Sequence, residues 1–291
     1  MKKIINNGIP DAIYQSIINF AKQYDGNIEN AISVTTLIDS PLRHYYSKNA
    51  DIEVNATDEL WKLTGSAMHQ VLENSDSSNV KELRLKAEHK GINIHGKCDV
   101  YDIENKSIED YKFTGYSKYA KYPKLEHIRQ LNILWWIWSQ NNLPVERTKL
   151  HYIWRNLTPY QLGTEGYPLS LVETYDVKQL PIIDFIDKQL ERHKNVINNT
   201  AQETDLECTL EERWGNEKYK VYKQSNNKKA IRVFDSYNEA ENLLNVMQEM
   251  NTQEDTYYIK KVTTDFVRCE NYCEYKNICH LYNKLIKDKN G

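Results

Sequence analysis

The chain has 291 residues, enough for two domains, or one large domain with an appendage, and for a core that needs no cross-links. Its 40% hydrophobic and 27% charged residues exclude a wholly disordered chain, and no apolar run reaches the roughly 18 residues of a membrane span. A formal charge of −3 excludes whole-surface basicity, so any nucleic-acid binding has to come from a local patch.

The first residues, Met1-Lys2-Lys3-Ile4-Ile5, carry lysines without an apolar core and do not read as a signal peptide. Residues 11–24 read as a helix, with Ile13, Ile17, Phe20 and Ala21 at helical spacing. A second short helix is expected over 33–47, interrupted at Pro41. A third is expected over 57–74, with an apolar stripe of Leu60, Thr64, Ala67, Met68, Val71 and Leu72. The period then changes to two. Residues 80–88 and 92–103 alternate around a Lys90-Gly91 turn, and Ile92, Ile94, Cys98 and Val100 share one face. After the turn Glu104-Asn105-Lys106, residues 107–113 form a third strand. A helix follows over 123–140, with Pro123 in its first turn, then a strand over 148–157 and a helix over 180–199. The order α-β-β-β-α-β-α predicts a mixed α/β domain to about residue 200. From residue 201 a small ββαβ unit is expected. It has a hairpin of 218–223 with 228–234 across Ser225-Asn226-Asn227, and a helix over 236–250 whose start carries the capping box Ser236 and Glu239. A strand over 256–262 and a Cys-rich tail close it.

Chemistry concentrates in Gly96-Lys97-Cys98-Asp99 and Glu109-Asp110-Tyr111-Lys112. Side chains on one face of neighbouring antiparallel strands lie about 5 Å apart, so Asp99 and Asp110 can converge. Lys112 shares the face of Asp110 at i+2. Two hard oxygen ligands suit Mg²⁺ or Mn²⁺, and an ammonium beside them can orient a water or stabilise charge on a phosphoryl group. Alone, the same pattern also fits a surface hairpin of solvated charges. Upstream, Gly65, His69 and Glu73 are spaced by four along one helix face; downstream, Gln130 lies in the next helix.

Taken together, Gly65 with His69, Gly96 with Asp99, Asp110 with Lys112, and Gln130 resemble the RecB-type branch of the PD-(D/E)XK nuclease superfamily. That branch carries G-x-x-x-H, G-x-x-D, (D/E)-x-K and Q-x-x-x-Y in this order. The chain departs at the last position, where Leu134 stands for the tyrosine. The resemblance implies a restriction-endonuclease-like core, a mixed central sheet flanked by helices. It implies a divalent metal on His69, Asp99, Asp110 and the Tyr111 carbonyl, a water positioned by Lys112, and support from Gln130. Glu73 is a candidate outer carboxylate.

Residues 112–129 hold Lys112, Lys118, Lys121, Lys124 and Arg129 against Glu126, interleaved with tyrosines that include Tyr116 and Tyr119. Lysines can neutralise phosphates and tyrosines can stack on unpaired bases, although a solvated basic loop looks the same. Beside a nuclease motif the stretch reads as part of a DNA channel.

The odd count of five cysteines suggests reduced thiols and a cytoplasmic address, a bacterial host's if the chain is phage-encoded. Cys98 reads as core packing. Cys269, Cys273 and Cys279, with Cys208 as a fourth, suit Zn²⁺ or an iron–sulfur cluster. Several RecB-type nucleases, CRISPR-adaptation nucleases among them, carry a four-cysteine 4Fe–4S cluster with one ligand ahead of the core. Here Ser40 occupies that early position, so the resemblance implies that Cys208 replaces it, with zinc as the other option. The segment from Cys208 onward also looks like tailed-phage nucleases.

The function expected is a Mg²⁺- or Mn²⁺-dependent exonuclease on DNA, single-stranded or at duplex ends, in recombination, replication or repair. A helicase or single-strand annealing protein is a candidate partner. The alternatives are a non-catalytic DNA-binding scaffold on a nuclease fold and a CRISPR-adaptation-like end-processing nuclease.

Overall fold

Short apolar stretches set the first elements of the computed structural model, which describes residues 2–22, 30–75, 79–225, 229–250, 256–264 and 266–290. Strand β1 (Lys2–Ile5) pairs in parallel with β3 (Ile52–Asn55). Helix α1 (Asp11–Lys22) lies between them in sequence; residues 23 and 24 of the expected helix are outside the described residues. Strand β2 is Ala31–Ser33. The helix expected over 33–47 is two helices, α2 (Val34–Leu37) and α3 (Pro41–Asn49). A serine caps the start of each, and Ser40 with Pro41 stands at the break. Ser33 accepts a hydrogen bond from the Thr36 N–H, and Ser40 accepts one from the Leu42 N–H with Pro41 filling the first helical position. Helix α4 spans Ala56–Glu73.

The two alternating stretches each break in the middle. Residues 80–88 become β4 (Val80–Lys81) and β5 (Arg84–His89), and residues 92–103 become β6 (Ile92–Lys97) and β7 (Val100–Asp102). The breaks face each other: the Glu82 N–H donates to the Asp99 carbonyl at 3.1 Å, and the Cys98 N–H to the Leu83 carbonyl at 3.3 Å. β5 and β6 belong to a sheet of order β2-β6-β5. β4 and β7 belong to a five-stranded sheet with β8 (Ser107–Thr114), β9 (Arg147–Trp154) and β10 (Val172–Asp176), in the order β10-β9-β8-β7-β4. Asp99 therefore sits in the link between the two sheets and not within a strand.

Helix α5 (Leu125–Gln140) carries the chain from β8 to the parallel strand β9. It starts after Lys124, so Pro123 lies ahead of the helix and outside its first turn. Its Leu131, Ile133, Leu134, Ile137 and Trp138 are at most 1% exposed, and it packs on β5, β6, β8 and β9. A helix apolar on nearly all sides belongs in a core. Helix α6 (Ile183–Ile197) packs on α3. There the His193 Nε2–H donates to the Asp39 carbonyl at 3.1 Å, leaving His193 Nδ1 to accept from the His44 Nδ1–H at 3.0 Å. The chain is a mixed α/β protein with mixed sheets flanked by helices, as a restriction-endonuclease-like core requires.

The chain divides into two compact units, Met1–Asp205 and Leu206–Gly291. The second holds β11 (Asn216–Lys223), β12 (Arg232–Phe234), α7 (Tyr237–Glu249), β13 (Tyr257–Thr264), α8 (Val267–Asn271) and α9 (His280–Asn290). Its antiparallel sheet has the order β12-β11-β13, and α7 packs on all three strands. Ser236 is the N-cap of α7, but its hydroxyl makes no cap bond, so the expected capping box is not formed. Asn226 and Asn227 of the expected hairpin turn lie outside the described residues. Among the described residues no helix is long and apolar enough to cross a membrane.

Candidate active site

Strand alternation brings Asp110 and Lys112 to the face of β8 that looks toward α5. Lys112 Nζ lies 2.6 Å from Asp110 Oδ2 and donates to Gln130 Oε1 at 2.9 Å. Gln130 Nε2 reaches Asp110 Oδ1 at 3.4 Å. One turn of α5 therefore reads both the acid and the base of β8. From the link between the sheets, Asp99 accepts the Tyr111 N–H on Oδ2 at 2.7 Å, and its Oδ1 lies 3.1 Å from His69 Nδ1 on α4. The four motifs thus meet in one cleft of about 740 Å³.

The electrostatics leave room for a cation. Asp110 is 3% exposed. Burial pushes its carboxyl above the usual carboxylate range, against the pull of Lys112, and Asp99 pushes it further up. The hydrogen-bonding contact to Asp99 raises His69 above the usual imidazole range, while burial opposes it. Asp110 Oδ2 and His69 Nδ1 are both buried and make no hydrogen bond of ordinary geometry. Each still has an ionic neighbour, Lys112 for Asp110 Oδ2 and Asp99 for His69 Nδ1, and carboxylate oxygens with an imidazole nitrogen are a donor set for Mn²⁺ or Mg²⁺.

A residue that the sequence did not single out joins them. Glu82, His69 and Asp99 each bring one ligand atom to within 4.8 Å of the others. Glu82 stands at the break between β4 and β5 with φ of +55°, held there by its backbone bond to Asp99. Six other described non-glycine residues, Lys90 and Lys106 among them, share the left-handed region, so the φ of Glu82 marks the tight break in the chain and it is the carboxylate's place beside His69 and Asp99 that makes it a candidate ligand. Lys97 pairs with the Glu82 carboxylate. In the sequence Glu82 is one charged residue among several in an alternating run, and nothing there marks its backbone as left-handed.

Gly96 of G-x-x-D has a packing reason. A Cβ there would collide with the Leu134 side chain and lie 2.8 Å from Val34 Cγ2. Leu134, where the family pattern has tyrosine, fills the space above the glycine. Gly96→Ala is expected to lower stability by about 1–3 kcal/mol in urea unfolding. Combined with Leu134→Ala, the loss is expected to be smaller than the sum of the two single losses; strict additivity would refute the contact as the cause.

The other candidates divide. Glu73 lines the cleft from the exposed end of α4. Lys118, Lys121 and Tyr119 are exposed, and Lys118 Nζ lies 5.3 Å over the Tyr119 ring. Lys124 is half-buried as the N-cap of α5. Two differ from the expected DNA-facing role. The Arg129 guanidinium stacks on Phe185, and Tyr116 packs against Tyr122, Trp154 and Tyr167 with its hydroxyl on the Gly166 carbonyl. Aromatic packing uses up the Tyr116 faces that a base would need. On the far face of β8, Glu109 meets His151, Lys149 and Ser107, and the His151 hydrogen bond leads in pulling its carboxyl down to about 2. Tyr111 stacks on His151 there, with ring centroids 4.5 Å apart.

None of the five cysteines is in a disulfide. Cys98 is fully buried beside Asp99. In the second unit Cys269 is buried, and burial followed by the charges of Cys273 and Cys279 pushes its thiol up to about 11. Cys208 is half-buried in the same unit.

No family model matches the chain, and no curated protein does. Among solved structures it is similar to SSO0001, at 19% identity over 66% of this chain and 88% of that one, with a TM-score of 0.47. It is also similar to a phage-related exonuclease from Haemophilus somnus 129PT, at 12% identity over 65% of this chain and 82% of that one, with a TM-score of 0.29. Likenesses this distant carry no function across, so the geometry of the site has to.

Proposed function

We propose that the chain is a divalent-metal-dependent nuclease that hydrolyses DNA phosphodiester bonds, acting as an exonuclease in phage or bacterial recombination, replication or repair. The observation that carries this is the convergence of His69, Asp99, Asp110, Lys112 and Gln130, from α4, the inter-sheet link, β8 and α5, in one cleft. A Mg²⁺ or Mn²⁺ ion would be held by His69, Asp99 and Asp110, with the Tyr111 carbonyl and Glu82 as further ligands. When bound, it supplies an acidified water and charge neutralisation at the phosphate. Lys112, anchored by Gln130, orients the attacking water and faces the charge that develops on the phosphoryl oxygens. The Tyr111 N–H fixes the Asp99 carboxylate so that one oxygen is left for the metal.

In the second unit, Cys269, Cys273 and Cys279 with Cys208 are proposed to hold an iron–sulfur cluster, or Zn²⁺ instead. Burial first, and the charges of Cys273 and Cys279 second, raise the Cys269 thiol, and a cation held by the cluster would offset both. Iron, sulfide and zinc analysis of anaerobically purified protein separates the two; a colourless zinc protein removes the cluster.

Labelled linear, nicked and single-stranded DNA incubated with Mg²⁺ or Mn²⁺ tests the activity. Shortening of linear DNA from its ends is the expected result. Binding without cleavage under any metal would leave a DNA-binding scaffold instead.

A further inference from the structure

Trp61 stands on α4 with 58% of its surface exposed, and the Arg155 guanidinium lies over its ring, 4.0 Å from the centroid. Both partners reach this place by way of the candidate site. Trp61, Gly65 and His69 are spaced by four and wind slowly along one side of α4, so Trp61 is about 12 Å along the helix axis from His69. Between them, a Cβ added to Gly65 would meet nothing within 4 Å, so no other segment packs on α4 at that point. Arg155 follows β9 directly, and its N–H donates to the Thr114 carbonyl at 3.0 Å, at the end of β8 two residues beyond Lys112. The pair therefore sits at the carboxyl ends of two parallel strands, where open α/β sheets take their ligands. Among the described residues Arg155 has no carboxylate partner. A second cation-capped aromatic, Lys118 over the 87% exposed Tyr119, lies on the neighbouring loop. That loop is tied to the Arg155 segment by the Tyr116 N–H to Asn156 Oδ1 at 2.7 Å and by Asn156 Nδ2 to the Tyr116 carbonyl at 3.0 Å.

We propose that Trp61 and Arg155 form a stacking platform for an unpaired nucleobase of the strand whose phosphate enters the cleft at Asp99 and Asp110, making single-stranded DNA the preferred substrate. This rests on the nuclease reading of that cleft. An indole face accepts any base, and the guanidinium serves both the base face and the adjoining phosphate. The interior pairs of a duplex present no free face to it, and a blunt duplex offers only the one outer face of each terminal pair.

The test is fluorescence anisotropy of the full chain with a labelled 20-nucleotide oligothymidylate and with a blunt 20-base-pair duplex, in chelator so that nothing is cut. Trp61→Ala is expected to weaken oligothymidylate binding roughly 5- to 100-fold with little effect on the duplex, Trp61→Phe to restore most of it, and Arg155→Ala to weaken it and flatten its salt dependence. Unchanged oligothymidylate binding by Trp61→Ala overturns the platform, as does an equal loss on both DNAs. Failure of the wild type to bind oligothymidylate also overturns it and leaves the indole to a protein partner. Cleavage is measured separately with Mn²⁺; intact Trp61-dependent binding without cleavage defeats the nuclease reading and leaves the platform standing.

Discussion

Lys112→Ala is expected to lower metal-dependent DNA cleavage by about 10²–10³-fold while leaving Mn²⁺ binding intact. Lys112 Nζ lies 2.6 Å from Asp110 Oδ2, on the oxygen that a metal would share. Removing it takes a repelling cation away from the ligands, so affinity for a divalent ion does not fall. In the metal-free protein the same exchange leaves the buried Asp110 carboxylate without its nearest positive charge. Its pKa, already raised by burial, rises further, and the protein loses stability until metal is added. The thermal shift on adding Mn²⁺ is therefore expected to exceed that of the wild type. Asp110→Asn behaves differently: it loses both cleavage and metal binding. Calorimetric Mn²⁺ titrations beside cleavage rates separate the two roles, and joint loss of metal binding and cleavage in Lys112→Ala would show that the lysine merely holds the site together.

Acid is expected to unfold this protein earlier than its carboxylates alone require. His193 is fully buried, and burial lowers its pKa from 6.5 to about 4. Burial likewise lowers that of its partner His44 to about 4. A proton on His193 would set two N–H groups head to head, because its Nε2 is committed to the Asp39 carbonyl. Between pH 6.5 and 4 the unfolded chain binds protons that the folded chain refuses. Stability is thus complete above pH 6.5 and falls as pH drops toward 4. With 6.5 unfolded and about 4 folded, His193 alone accounts for about 2 kcal/mol between pH 7 and pH 5. His193→Gln is expected to be less stable at pH 7 but to lose less between pH 7 and 5, read from urea midpoints. An unchanged pH slope would remove His193 from the account.

The parts of the site that were legible in the sequence are those that local periodicity controls. Asp110 and Lys112 share a face because a strand repeats every two residues, and Gly65 and His69 share a helix side because they are four apart. The breaks at Glu82–Leu83 and Cys98–Asp99 were not legible. Alternation runs straight through both, and only pairing with two different sheets divides them. β1, β2 and β3 are too short to show a period, and β10 has no buried residue to betray it. Tyr116 and Arg129 look available for DNA by composition; the partners that occupy them, Trp154 and Phe185, come from distant segments. The four-residue spacing from Trp61 to His69 was readable in principle, but Arg155 comes to the indole only through the fold.

β8 holds two consecutive acids of opposite temperament. Glu109 is clamped by His151, Lys149 and Ser107 on one side of the sheet, and Asp110 waits on the other with its proton affinity raised. The Glu104–Lys106 turn sets which of them faces the cleft, because a slip of one residue in the pairing of Val100 with Glu109 would exchange the two faces. Such a slip would present Glu109 and Tyr111 in place of Asp110 and Lys112, an acid with no ammonium beside it. A one-residue deletion in a surface turn, remote from every ligand, would therefore disarm the site as completely as loss of the lysine, without touching a single functional residue.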